Sequence, residues 1–537
     1  MWSKIFSAYK RKSGVNMNQK TTSTNPATGE ILGHTKLNTE DELKKMISTA
    51  RKSQKGWEGT DISERVLKVK AVRDYLIENA DKIAETISRD NGKTRVDAIA
   101  TEVFPASMAV SFYCKNAKKF LSDQKLRAGS IMLVNKRSKI VRIPYGVVGI
   151  ISPWNYPFSI PFSEVIMGLL AGNAVILKTA TETQMVGQTL KQAFEYANLP
   201  TGIFNFINLP GKIAGDAFLE AGIDKIFFTG SVAVGKYLME RAGKTLTPIC
   251  LELGGNDAMI VCEDADPYRS AMGALWAGFQ NAGQSCGGVE RIYVHKKVYN
   301  DFMNILKNKI ENLRVGYDGQ FDSDMGCMTT EEQVKTVKSH VNDALKKGAK
   351  VFAESKIPSD GNLKNFLPAM VITDVNHDMT LMRDETFGPV VGVMKFSNYD
   401  EAIRLANDSY LGLTGSVWTK NSSRGESIAK KIKAGVVTIN DHLMSHGMAE
   451  TPWGGFKHSG IGRTHGRMGF DEMTQPLVIV KDILPFVKKN LWWHPFNKNL
   501  YNGLKGAMNL LYGITLSARV KGTKDLLKIV PRIFRKS

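Results

Sequence analysis

The chain has 537 residues, 43% apolar and 23% charged, a globular mix too long for one ordinary domain and too apolar for a disordered chain. Five cysteines with no C-x-x-C pair and no Cys/His cluster argue against a disulfide framework or a structural zinc, so no metal site is expected and a reducing, cytoplasmic setting fits. The net charge of +20 sits mostly at the two ends, without a basic folded face or an RNA-binding motif, which speaks against nucleic acid as a partner.

Residues 1–20 carry five Lys/Arg and no acid, with Trp2, Ile5, Phe6 and Tyr9 at helical spacing. They read as a basic amphipathic extension, and an organelle-targeting segment fits the same pattern. Residues 21–35 suggest a turn and a short hairpin, and 39–121 are helical in period. The segments 130–134 and 139–143 predict a β-hairpin turning at 135–138. From there short β-rich runs at 147–151, 174–177, 204–207 and 225–228 alternate with helical stretches, the rhythm of a parallel sheet. A second α/β set follows Gly255, with strands at 258–261, 291–294, 351–352, 390–394, 416–419 and 436–439. A late strand at 475–480 is expected to join the hairpin, across a subunit boundary. The tail from 484 is basic; Leu526, Leu527, Val530, Ile533 and Phe534 fall at helical spacing, and Trp492-Trp493 lie upstream. Either a membrane surface or a neighbouring subunit would cover such a helix. No run reaches the roughly 18 apolar residues of a membrane span.

Three short segments carry chemistry. Cys286 lies among Gly and Ser in a loop between a helix and a strand, where its thiol has open approach and backbone N–H groups stand near. The ordinary fate of a lone cysteine is packing. Glu252 closes an apolar strand before Gly254-Gly255; an acid there is costly unless it has work or a salt bridge, and burial suits it to general-base duty. Asn155, held between Pro153 and Pro157 after the strand 147–151, stands at the carboxyl end of a parallel strand, where its amide can donate to an oxyanion. Two motif matches fail on context. G-x-S-x-G at 283–287 lies helix–turn–strand, the reverse of a hydrolase elbow. G-x-x-x-x-G-K at 230–236 is followed by Tyr237 where a P-loop needs Ser or Thr.

The chain resembles the aldehyde dehydrogenase superfamily over roughly 21–480. The motifs PWNYP (153–157), FTGSVAVGK (228–236), LELGGN (251–256), GQSCGGVER (283–291), ETFGP (385–389) and PWGGFKHSGIGR (452–463) occur in that family's order. The resemblance implies an α/β fold with a Rossmann-like cofactor domain at 21–121 and 145–256, and a catalytic domain at 257–470. It adds a β oligomerisation arm at 122–144 and 471–483, flanked by the extension at 1–20 and the tail at 484–537. It implies oxidation of an aldehyde to a carboxylic acid with NAD or NADP. Cys286 would form a thiohemiacetal and then a thioester, Asn155 and the Cys286 N–H would be the oxyanion hole, and Glu252 would activate water. Cofactor positions would be Trp154, Lys178, Gly230, Ser231, Gly235, Leu253, Glu385 and Phe387, in a homodimer or homotetramer.

Two departures from the family pattern matter. The ribose-binding acid expected three residues after Lys178 is Thr181, so NADP+ should be tolerated, while Glu182 one place later keeps NAD+ open. Residues 158–173 contain no Arg or Lys to pair a distal carboxylate, which favours a neutral aliphatic or aromatic aldehyde over a succinate semialdehyde. The alternatives are a succinate-semialdehyde-type dehydrogenase and a non-catalytic, membrane-associated scaffold. Peripheral membrane contact would come through the basic ends.

Overall fold

The computed structural model describes residues 19–535; the amphipathic pattern expected at 1–18 lies outside them. The described chain forms two compact units, one running up to Leu121 and over Ile143–Gln475, the other Ser122–Arg142 with the chain from Pro476 on.

The first unit opens on an antiparallel hairpin, Lys20–Thr24 with Ile31–Lys36. Helices Glu40–Gly59, Ile62–Glu78, Ala80–Asn91 and Phe104–Leu121 follow. Thr39 and Glu42 form a reciprocal capping box at the first helix, and Gly92, at φ +97°, ends the third.

A six-stranded sheet then takes the order Gly460–Ile461, Ile249–Glu252, Lys225–Thr229, Val147–Ile151, Ala174–Lys178, Phe204–Phe206. Only Gly460–Ile461 is antiparallel to its neighbour. Val147–Ile151 and Ala174–Lys178 are buried at every position, which is why they read as unbroken apolar runs. Strand order reverses between Val147–Ile151 and Lys225–Thr229, the switch point where ligand crevices open at strand carboxyl ends. The register sets Ile151 beside Lys178 and Phe228, and Thr229 beside Glu252. Four loops therefore leave one edge of this sheet together.

A second, seven-stranded sheet has the order Lys350–Glu354, Met370–Thr373, Val390–Phe396, Val289–His295, Asp257–Val261, Thr414–Trp418, Val436–Ile439. Each sheet has its own apolar core. The expected catalytic segment 257–470 does not stay with the second sheet. Ala449 and Phe470 pack into the first core, where Phe470 meets Tyr113 at 5.7 Å and Phe120 at 5.5 Å. The large Phe470 ring finds its apolar partners there.

The second unit corrects the expected hairpin. Gln124–Leu126, not 130–134, pairs antiparallel with Lys136–Pro144, so residues 136–138, read as turn, are strand. Ile131–Leu133 is a 3-10 turn, because the Ser130 hydroxyl accepts from the Met132 N–H and starts it. Thr474–Asp482 lies beside Lys136–Pro144, within the same chain. Lys136 holds Asp482 at 2.6 Å there. The tail contains two helices, Lys498–Tyr512 and Leu516–Ile529, then a 3-10 turn Val530–Phe534. The Arg532 guanidinium donates to the Trp493 and Pro495 carbonyls and closes the tail on itself. Among the described residues no helix is long and apolar enough to cross a membrane.

Candidate active site

Cys286 stands on a loop built by strain and hydrogen bonds. The helix Pro267–Phe279 ends at Gln280, and Asn281, Ala282 and Gly283 all take left-handed φ values near +53 to +70°. Only glycine fits the third position, since a Cβ at Gly283 would sit 2.1 Å from the Gly388 carbonyl oxygen. Three long-range bonds fix the loop. The Asn281 amide donates to the Asn155 carbonyl (2.9 Å), the Asn155 amide donates to the Gln284 carbonyl (3.2 Å), and the Tyr156 hydroxyl donates to Gln280 (2.7 Å).

The turn bearing Asn155 is held by a pair that sequence reasoning missed. The Lys93 ammonium, fully buried, bonds Glu102 at 2.6 Å and the Asn155 carbonyl at 2.8 Å. The other Glu102 oxygen accepts from the Phe158 and Ser159 N–H groups. A buried pair of this kind fixes geometry more surely than it adds stability.

Glu252 ends its strand with both carboxylate oxygens unpartnered among the described residues, so the salt-bridged reading does not hold. Burial drives its pKa well above 4.5; Glu164 adds to that and Arg463 opposes it. The Thr464 N–H counts for little, being committed to the Trp453 carbonyl at 2.8 Å. Glu252 and Cys286 wall one cavity together with Ile160, Glu164, Trp453 and His465. The half-buried Cys286 thiol is itself pushed up, by burial first and then by Glu385, Asp257 and Glu252, so at rest it keeps its proton. A roomier cavity walled by Met46, Gln188, Lys191, Glu195 and Phe206 contains neither thiol nor imidazole.

Glu164 is 3% exposed, and burial raises its carboxyl to about 8. The folded chain thus holds a proton that the unfolded chain, near 4.5, releases. Stability present in acid is lost as pH rises from about 4.5 towards 8. Glu164→Gln keeps the shape without the charge. Its advantage over the parent should grow between pH 5 and pH 8, on the order of 2–4 kcal/mol. Denaturant melts at both pH values measure this, and an equal gap at both would contradict it.

Six of the eight expected cofactor positions follow the carboxyl edge of the first sheet, and Glu385 and Phe387 come from the loop before Val390–Phe396 of the second. Lys178 is 4% exposed, and burial lowers its ammonium to about 8 while Glu182 opposes. Ser231 caps the helix Val232–Gly243 by accepting from the Val234 N–H at 3.4 Å, and the Gly230 N–H is given to the Glu252 carbonyl. A Cβ at Gly235 would run into the Leu253 side chain at 2.7 Å, so glycine lets the helix close on that strand end. Glu385 accepts from the Gly255 N–H at 3.0 Å. Trp154 and Phe387 meet edge to face at 5.6 Å.

The structure thus gathers Cys286 and Glu252 into one cavity, ties Asn155 to the cysteine loop at Gln284, and joins Trp154 to Phe387. Lys178, Ser231 and Gly235 are not walls of the Cys286 cavity. Glu290, inside the GGVER motif, proves structural: it accepts from the Thr386 and Phe387 N–H groups and from Asn256, and so shapes the Glu385 turn. No group of metal-binding side chains occurs among the described residues.

The crevice suits a dinucleotide. A helix N-terminus, a buried ammonium and two aromatic rings line strand ends at a switch point, and Gly254 lets the Glu385 carboxylate close on the backbone where a Cβ would lie 2.2 Å from it. Comparison with known proteins agrees. The model of the aldehyde dehydrogenase family matches residues 15–479. A 4,4'-diapolycopene aldehyde oxidase of Methylomonas sp is 36% identical over 490 residues, 91% of this chain and 90% of that protein. A crystal structure of succinate-semialdehyde dehydrogenase from Burkholderia pseudomallei superposes with a TM-score of 0.82 at 31% identity, covering 87% of this chain and 95% of the other. An NAD+ complex of aldehyde dehydrogenase from Bacillus cereus gives a TM-score of 0.82 at 30% identity, with 87% and 94% covered.

Proposed function

We propose that this chain, which belongs to the aldehyde dehydrogenase family and is an NAD(P)-dependent aldehyde oxidoreductase, converts a neutral, apolar aldehyde to its carboxylic acid through a thioester on Cys286. The observation that carries the reading is the shared cavity of Cys286 and the unpartnered Glu252.

The Cys286 sulfur, once deprotonated, bonds the aldehyde carbon, and the carbonyl electron pair moves to oxygen. The Asn155 amide and the Cys286 N–H would donate to that oxyanion. Bound nicotinamide supplies the acceptor for the hydride that leaves the same carbon as the C=O re-forms. Glu252 then takes a proton from water as its oxygen adds to the thioester; the C–S bond breaks, the carboxylic acid leaves, and the departing sulfur takes up that proton to regenerate the thiol. The nicotinamide would lie against Trp154 and Phe387, one ribose against Glu385, the pyrophosphate near Gly230, Ser231 and Gly235 beside Leu253, and the adenosine ribose against Lys178.

The cavity wall contains no Lys or Arg to pair a second carboxylate, and the fully buried helix Ser159–Leu170 brings no cation either. That favours a neutral substrate over a succinate semialdehyde. The alignment with the Methylomonas protein, 490 residues of this chain, exceeds the 483 that precede the tail and so must enter it. A long apolar aldehyde, of the kind that protein's name describes, is the reading this supports. The exposed strand residues Leu477–Val480 fit pairing of chains into a dimer or tetramer. The basic ends fit peripheral contact with a membrane, where such aldehydes partition.

Absorbance at 340 nm, with C2 to C16 aldehydes, benzaldehyde and succinic semialdehyde against both cofactors, tests the reading. Rates that rise with chain length support it; a preference for succinic semialdehyde overturns the substrate class. Thr181→Glu, which restores the ribose-binding acid, should lower kcat/KM for NADP+ by about tenfold or more relative to NAD+. An unchanged ratio would remove Thr181 from cofactor choice.

A further inference from the structure

The two tail helices, Lys498–Tyr512 and Leu516–Ile529, are packed backbone to backbone. A Cβ at Gly506 would lie 2.7 Å from the Gly522 carbonyl oxygen, and one at Gly522 would lie 2.5 Å from that of Gly506. Glycine here removes the side chains that would hold the helices apart. Leu500 and Ile529 are buried in the hairpin, but the large apolar side chains near its tip are not consumed inside it. Met508, Tyr512, Leu516 and Val520 are each half or more exposed, and Ile514, in the turn, is 100% exposed. Apolar groups crowded at a hairpin tip mark a contact surface.

Charge identifies what meets that surface. Between residues 498 and 535 there are eight Lys/Arg and a single acid, Asp525, which Lys528 pairs at 3.0 Å. Arg519, whose Nε donates to the Gly513 carbonyl, is pinned beside the tip, and Lys505, Lys521 and Lys524 are exposed on the two helices. A water-soluble partner protein would need a matching acidic groove around an apolar pocket. An anionic bilayer offers both features at once, hydrocarbon for the tip and negative headgroups for the cations behind it.

We infer that this helical hairpin is a membrane-docking element whose tip, Tyr512 to Leu516, enters the interface of an anionic lipid bilayer. The inference rests on the reading that the basic ends contact a membrane, and it assigns that contact to one element. Tyr512 supplies an amphipathic ring suited to headgroup depth, and the paired helices keep their backbone groups satisfied as the tip goes in.

The test uses the full chain, co-sedimented with vesicles of phosphatidylcholine alone and with phosphatidylglycerol added. The parent is compared with Ile514→Glu/Leu516→Glu, and oligomer mass is read by light scattering. Both residues are highly exposed, so the fold does not depend on them. The expected result is binding to the anionic vesicles only, weakened about tenfold or more in the double variant, with oligomer mass and turnover of a short soluble aldehyde unchanged. Parent and variant binding equally would overturn the docking role of the tip while leaving membrane contact standing. A parent that binds neither vesicle would overturn both. A variant that loses oligomer mass would show that a second copy of the chain covers the tip, and would also overturn the proposal.

Discussion

Cys286→Ala is expected to abolish aldehyde-dependent reduction of NAD(P)+, a loss on the order of 10⁴-fold or more, while thermal stability changes little. The protein holds four other free thiols, and none is placed to substitute. Cys250, Cys262 and Cys327 are 1% exposed or less. The Cys114 thiol points at the Val66 carbonyl, and none of the four walls the cavity of Glu252. Cys286 alone shares a cavity with an unpartnered carboxylate. The check is absorbance at 340 nm on parent and variant with matched circular dichroism; retention of more than about a tenth of the rate would place the nucleophile elsewhere.

Glu252→Gln should separate the two halves of the reaction. Acylation of Cys286 proceeds and releases one equivalent of reduced cofactor per site in a burst. Thioester hydrolysis loses its base, and steady-state turnover falls by about 10² to 10⁴-fold. Stopped-flow absorbance reads both phases at once. The carboxylate is also the source of a pH dependence. Its pKa is raised well above 4.5 by burial and by Glu164, so the charged, base-competent form gains population only as pH rises through the raised value. Parent turnover therefore climbs with pH over that range, and the Gln variant should lack the climb. Loss of burst and turnover together would assign Glu252 to the first step instead.

The parts of this site that were legible in the sequence are those written locally. Cys286 needs Gly283 and Ser285 beside it, Glu252 needs Gly254 and Gly255 after it, and the helix behind Ser231 needs small residues to close on its strand. Each such demand leaves a short motif. The βαβ alternation was legible for the same reason, since strands buried on both faces are continuous apolar runs. What was not legible acts across distance. Lys93 reaches Asn155 over 62 residues and Asn281 reaches it over 126, and neither carries a local signature. The misplaced hairpin strand came from reading Ile131, Leu133 and Val134 by β propensity, where the capping Ser130 decided for a turn. The helix Lys498–Tyr512 escaped notice because Gly503 and Gly506 lower its intrinsic propensity; both lie buried in the hairpin, and Gly506 meets the second helix directly.

The central claim is a covalent acyl group on one sulfur, and intact-mass spectrometry reads it directly. Glu252→Gln protein is mixed with a long-chain aldehyde and NAD(P)+, quenched in acid within the burst, and weighed before and after peptide digestion. A thioester adds the mass of the aldehyde less two hydrogens, and it should map to the peptide containing Cys286. An unmodified Cys286 peptide in protein that has released its burst of reduced cofactor would contradict the account.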